Sequence, residues 1–259
     1  MAPIARLAMA VLLFSASFIN AAPTATTPHN DADIAVFSRA VSEAAAGVKL
    51  VYKCTVPNTM AITFDDGPFE YTKQILKIFK DKKAKATFFV NGDNNGKITD
   101  YADAVKQAYN EGHQIASHTW DHKDLTTLNK DQINAEMSVL DDAIRKIIGV
   151  APTYMRPPYG SINDNVAKII GAKYTIVIWS QDTNDWRHES DWKKSLKVYQ
   201  DHVKKASGKG GDIYLQHETI KLTALELAPR AIKYAQDRNW KLVTVGECLG
   251  KPKSTWYRK

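Results

Sequence analysis

A chain of 259 residues with 44% hydrophobic composition carries enough apolar material for one large domain with a full core, which excludes an array of several small ones. The formal net charge of +7 comes from lysines scattered through helix-like segments. No basic run is interleaved with aromatics, so a nucleic-acid partner is excluded and a solvated, mildly cationic surface remains.

Residues 1–22 carry Arg6, an apolar run from Leu7 to Ile19, and then Ala21 and Ala22. This is the layout of a cleaved secretory signal peptide, and the run is too short for a membrane span. No other stretch is apolar and long enough to cross a bilayer, so the expected product is exported. Residues 23–48 read as a linker or pro-segment: 23–33 are rich in Ala, Thr and Pro, and the spacing of Ile34, Phe37, Val41, Ala44, Ala45 and Val48 fits a short amphipathic helix. A catalytic domain is expected over 49–259. It contains the chain's two cysteines, Cys54 and Cys248, and in an exported protein these should form a disulfide.

Within the domain, short apolar runs alternate with helix-like stretches. Strands are expected at 60–64, 86–90, 114–116, 153–156, 175–179, 212–215 and 241–245; helices are expected at 72–82, 101–111, 130–148, 164–170, 191–206 and 223–238. Strict alternation implies parallel strands with right-handed crossovers. A barrel and an open doubly wound sheet both satisfy that pattern. The lack of a Gly-rich phosphate loop after the first strand favours the barrel, in a distorted form with seven (β/α) units.

In such folds the site lies at the carboxyl ends of the strands. Asp65 and Asp66 follow the first strand, His118 the third, Arg156 ends the fourth, Asp182 and Asp185 follow the fifth, and His217 follows the sixth. Each has a plainer reading alone. Asp-Asp-Gly-Pro could be only a turn, and His118 and His122, four apart, could be a solvent-facing helical pair. A zinc-protease helix needs Glu directly after the first His, where Thr119 stands. Taken together, Asp66, His118 and His122 supply three N/O ligands, the number a catalytic zinc site uses while leaving a position for water.

The other rim residues suit acyl transfer. Asp65 could take the proton of the attacking water, Arg156 could hold Asp65 in place, and His217 could protonate a leaving nitrogen if Asp182 or Asp185 kept it charged. The backbone N–H of Tyr159 could bind an oxyanion, and Trp186 could wall a sugar site or an acyl pocket. His29, His113, His188 and His202 read as surface or structural, and Trp179 and Trp240 as core.

In order, Thr-Phe-Asp-Asp-Gly (63–67), Ser-His-Thr-Trp-Asp-His (117–122), Arg-Pro-Pro-Tyr-Gly (156–160), Asp-Thr-Asn-Asp-Trp (182–186) and Leu-Gln-His (215–217) resemble the five motifs of the polysaccharide deacetylases, carbohydrate esterase family four. The ending 243–250, with Trp256 and Tyr257, further resembles the secreted fungal chitin deacetylases, in which such a cysteine is disulfide-bonded. The resemblance implies a distorted barrel of the NodB type and a zinc ion, or cobalt or another divalent metal, on Asp66, His118 and His122. It also implies Asp65 as base, His217 as acid, Arg156 orienting Asp65, Asp185 supporting His217, and Leu215 lining a pocket for the acetyl methyl. The implied substrate is chitin or chitooligosaccharide. Acetylxylan, peptidoglycan and a catalytically silent chitin-binding role are the alternatives, and nothing demands more than a monomer.

Overall fold

The computed structural model describes residues 48 and 50–259. The expected signal peptide, linker and short helix therefore lie outside the described residues, apart from Val48. Among the described residues, eleven strands and seven α-helices follow in the order β1 (Leu50–Val51), β2 (Thr59–Asp65), α1 (Thr72–Asp81), β3 (Thr87–Val90), α2 (Ala102–Asn110), β4 (Gln114–Ser117), α3 (Lys130–Ile148), β5 (Ala151–Pro152), β6 (Tyr154–Met155), α4 (Asp164–Gly171), β7 (Thr175–Val177), β8 (Gln181–Asp182), α5 (Trp192–His202), β9 (Ile213–His217), α6 (Ala228–Gln236), β10 (Lys241–Leu242), α7 (Val245–Cys248) and β11 (Tyr257–Arg258).

Nine strands form one parallel sheet in the order β1-β7-β6-β4-β3-β2-β9-β8, with β10 also paired to β2. Segment 175–182 takes part at both ends of this order. Its first half, β7, pairs with β1 and β6; its second half, β8, pairs with β9; and between them the Ser180 N–H donates to the Ile213 carbonyl at 3.1 Å. The sheet is thus curled back on itself. Each of the seven expected strands coincides with an observed one, but the count of seven does not match the sheet. Two members escape sequence reading: β1 is two residues long, and β8 consists of Gln and Asp, which carry no strand pattern.

The sequence accounts for the elements directly. Every residue of β2 is buried, as expected for a strand covered on both faces. Helix α3 starts with a capping box between Asn129 and Gln132 and stops at Gly149, whose φ of 80° suits glycine. Its buried Ile133, Met137, Leu140 and Ile144 follow one face. Alternate residues of the strands divide the core. Ile62, Phe64, Phe88 and Ile115 join the helix-covered cluster, whereas Ala61, Phe89, Ala116, Tyr154, Val177 and Ile213 join a second, interior one.

That interior cluster also contains Cys54, Val245, Cys248 and Trp256. Cys54 and Cys248 are joined in a disulfide that spans 194 residues, and the N–H groups of Thr55 and Val56 both donate to the Cys248 carbonyl. The expected pairing is present. On the chain-entropy argument, so long a loop predicts that Cys54→Ser will lower unfolding stability by about 2–5 kcal/mol in a urea titration, with the fold retained.

Of the two readings of His113, surface or structural, the fold takes the structural one: it is buried, its ring stands edge-on to Phe79 and Phe88, and its Nδ1 accepts from the Ala86 N–H at 3.1 Å. Burial, helped by Lys85, pushes this imidazole down to about 4. The folded pKa is below the unfolded value near 6.5, so the contribution is complete above that pH and lost as pH falls toward 4. Unfolding titrations across this window should show a loss of up to roughly 3 kcal/mol that His113→Gln abolishes.

Candidate metal centre and acid-base cleft

The strand ends deliver the rim residues as the sequence implies. Asp65 closes β2, His118 follows β4, Arg156 follows β6, Asp182 closes β8 and His217 closes β9. Asp65, His118, Asp182 and His217, with Tyr159, Trp179, Trp186 and Leu215, line a cleft of about 430 Å³, and Arg156 is buried behind it.

Asp65 and Asp66 diverge because Asp66 sits in the left-handed region, at φ 72°. Asp66 turns to the histidines: its Oδ1 lies 3.5 Å from His118 Nε2 and 3.2 Å from His122 Nε2. The three ligand atoms lie within 4.8 Å of one another. Asp66 Oδ1 is buried and makes no hydrogen bond among the described residues. His118 Nδ1 meets the Arg156 carbonyl at 2.7 Å, which makes Nδ1 the protonated nitrogen and leaves the Nε2 lone pair facing Asp66. Burial raises the Asp66 carboxyl, but the two imidazoles that face it outweigh that effect and hold the group well below the carboxylate range. An ionised oxygen without a donor, beside two imidazole nitrogens, fits a divalent ion. The two histidines stand on a loop, not a helix, with Thr119 at φ 73° and His122 at φ 59°.

Asp65 turns one oxygen to Arg156 and keeps the other 3.7 Å from His118 Nε2. Arg156 Nη1 donates to Asp65 Oδ1 at 2.6 Å and to Thr63 Oγ1 at 2.7 Å, while Nη2 donates to the Ile178 carbonyl at 2.9 Å. The guanidinium has no solvent exposure and lies 4.1 Å above the Phe89 ring. Burial lowers its affinity for the proton, and Asp65 opposes that effect.

Across the cleft, His217 Nδ1 stands 2.8 Å from Asp185 Oδ1, and the His217 N–H donates to Asp185 Oδ2 at 2.7 Å. Thr223 Oγ1 and the Trp186 N–H also donate to this carboxylate. The contact to His217 is therefore made by Asp185; Asp182 lines the cleft instead. Burial alone would lower the His217 imidazole, but Asp185, with Asp66 and Asp65 behind it, pushes it up to about 10.

Tyr159 has φ 60°, and its N–H makes no hydrogen bond among the described residues. Its ring is 63% exposed and edge-on to His122, with centroids 4.6 Å apart. Trp186 is also exposed, with Arg187 stacked 4.5 Å from its ring. Trp179, expected in the core, is buried yet also lines the cleft.

Two buried acids escaped sequence reading. Glu218 accepts from Thr72 Oγ1 and fills the space beside Gly67, where any Cβ would collide with its carboxyl. Burial pushes Glu218 up to about 8. Its position directly after His217 was the available signal. Glu136, on α3, accepts from the N–H groups of Trp120 and Asp121, and no local pattern marks it.

The fold and site define a curled parallel α/β barrel with an Asp/His/His cluster between two buried charge pairs. Residues 52–175 match the polysaccharide deacetylase family model. A chitin deacetylase of Arthroderma benhamiae is 43% identical over 211 residues, covering 81% of this chain and 56% of that protein. A probable peptidoglycan-N-acetylglucosamine deacetylase of the same organism is 43% identical over 212 residues, covering 81% and 48%. The chain thus spans about half the length of these two relatives. The solved chitin deacetylase structure from Colletotrichum lindemuthianum superposes with TM-score 0.79 at 34% identity, covering 81% of this chain and 95% of that one. This chain belongs to the polysaccharide deacetylase family.

Truncating Arg156 would strand a buried carboxylate. Arg156→Ala is expected to cost about 3–5 kcal/mol of unfolding stability, measured by denaturant titration.

Proposed function

We propose that this protein is a metal-dependent hydrolase that removes N-acetyl groups from N-acetylglucosamine units of chitin or chitooligosaccharides and is exported to act outside the cell. The observation that carries the reading is the pairing of Asp65 with Arg156 and of His217 with Asp185 on two sides of one Asp/His/His triad. A passive sugar-binding protein has no use for either pair. The chitin deacetylases among its relatives support the polymer.

Asp66, His118 and His122 would hold the ion, with zinc favoured by the N/O donor set and cobalt or another divalent metal compatible with it. When bound, such an ion supplies Lewis-acid polarisation of the acyl oxygen and lowers the pKa of a coordinated water. Asp65, oriented by Arg156, takes the proton of the attacking water. The Tyr159 N–H donates to the oxyanion that develops on the acyl oxygen. His217, oriented through Nδ1 by Asp185, presents Nε2 and donates a proton to the departing nitrogen as the C–N bond breaks. Acetate and a glucosamine unit leave. Leu215, buried at the cleft wall, lines the space for the acetyl methyl, and Trp186 offers an aromatic face to a sugar ring.

Peptidoglycan is the second reading, favoured by the Arthroderma relative named for that polymer. Acetate release from chitooligosaccharide, peptidoglycan and acetylxylan, assayed in parallel, separates the substrates, and the fastest turnover is expected on chitooligosaccharide. Asp65→Asn should retain zinc while acetate release falls by roughly 10²–10⁴-fold, and His118→Ala should lose both. Near-normal turnover in Asp65→Asn would remove Asp65 from the role of base.

A further inference from the structure

Between His118 and His122 the backbone takes a conformation its own residues resist. Thr119 and His122 both have left-handed φ, at 73° and 59°. For a β-branched residue such as Thr this is a true outlier, and each such residue costs about 1–3 kcal/mol. These conformations persist only where the surroundings over-determine them.

The surroundings here act on both kinds of backbone group. Asn91 Nδ2 donates to the carbonyls of His118 and Thr119, and the N–H groups of Gly92 and Asp93 donate to the Trp120 carbonyl at 2.8 Å each. The N–H groups of the same turn go elsewhere. Those of Trp120 and Asp121 both donate to Glu136 Oε2, each at 3.1 Å. Glu136 is 6% exposed, and its other oxygen lies 3.3 Å from Lys123 Nζ, a residue at the end of the same loop. One carboxylate on a nineteen-residue helix thus gathers three donors from the segment 120–123. A single carboxylate oxygen that accepts two adjacent N–H groups ties the strained turn to α3 and leaves neither donor unmet.

We propose that Glu136 is a positioning residue that fixes the His118–His122 turn in its ligand-presenting form and thereby sets the affinity of the divalent-ion site without touching the ion. This rests on the metal reading of the site given above. Glu136 acts through the backbone, from a helix that carries none of the rim residues. A purely structural Glu136 would anchor α3 and affect stability alone, so zinc affinity separates the two roles.

The experiment measures zinc dissociation constants of the wild type, Glu136→Ala and Glu136→Gln by competition with a chromophoric chelator, well below each protein's Tm. Amide exchange at Trp120 and Asp121 is followed alongside. Glu136→Ala is expected to bind zinc at least about tenfold more weakly and to exchange both amides faster, with Glu136→Gln, which keeps a neutral acceptor, in between. A lowered Tm with zinc affinity within about twofold of wild type would overturn the proposal. If Glu136→Ala does not fold, Glu136→Gln decides alone: weaker zinc binding supports the proposal, and unchanged binding overturns it. A wild-type protein without zinc affinity would instead sink the metal reading itself, and this inference with it.

Discussion

The buried guanidinium of Arg156 is the constraint on which the cleft depends. Removing such a cation from water costs several kcal/mol and is tolerable only when its donors are met. Asp65, Thr63 and the Val177 and Ile178 carbonyls meet them, with the Phe89 ring beneath. Those partners come from β2, β3, the end of β7 and the residue after it, so satisfying one side chain fixes the relative placement of several strand ends. The same residue's carbonyl sets the tautomer of His118, and its N–H donates to the Ser117 carbonyl beside it. One position at the end of β6 therefore orients Asp65 and a histidine of the triad together.

The fold makes this possible by curling the sheet. Residues on the interior side of seven strands form a narrow apolar cluster, which includes the disulfide and Trp256 along with Phe89 directly below Arg156. A low-dielectric floor under the charged groups strengthens each ion pair above it and makes each unpaired charge costly. Asp185 answers the same demand on the far side. Four donors converge on its carboxylate, counting the His217 ring, and the imidazole stays charged against the pull of burial.

Much of this was legible in the sequence because strand ends and rim residues share one rule. Apolar runs such as 60–64 and 86–90 announce strands, and the polar residue that follows each one is carried to the common rim. The short strands gave no such notice. β1 holds two residues, and β8 is made of polar residues held by pairing to β9. The conformation of 118–122 was also hidden, since two histidines four apart suggest a helix and nothing local to Thr119 favours φ 73°. It is imposed by Asn91, Gly92, Asp93 and Glu136, from two other parts of the chain. Glu218 was hidden for a related reason: its meaning lies in the space beside Gly67, which only the folded chain defines.

That space explains how two adjacent carboxylates can serve different partners. Side by side on a regular strand, Asp65 and Asp66 would point to opposite faces, and one would be lost to the helix layer. The strand instead ends at Asp65, the left-handed φ of Asp66 swings its side chain back over the rim, and Gly67 lets the turn pass against Glu218 without a Cβ in the way. Each carboxylate then has its own partners: Asp65 a permanent cation, Asp66 the ring nitrogens of His118 and His122. The Asp66 carboxylate thus has no Arg or Lys against it among the described residues, and a divalent cation would be drawn there.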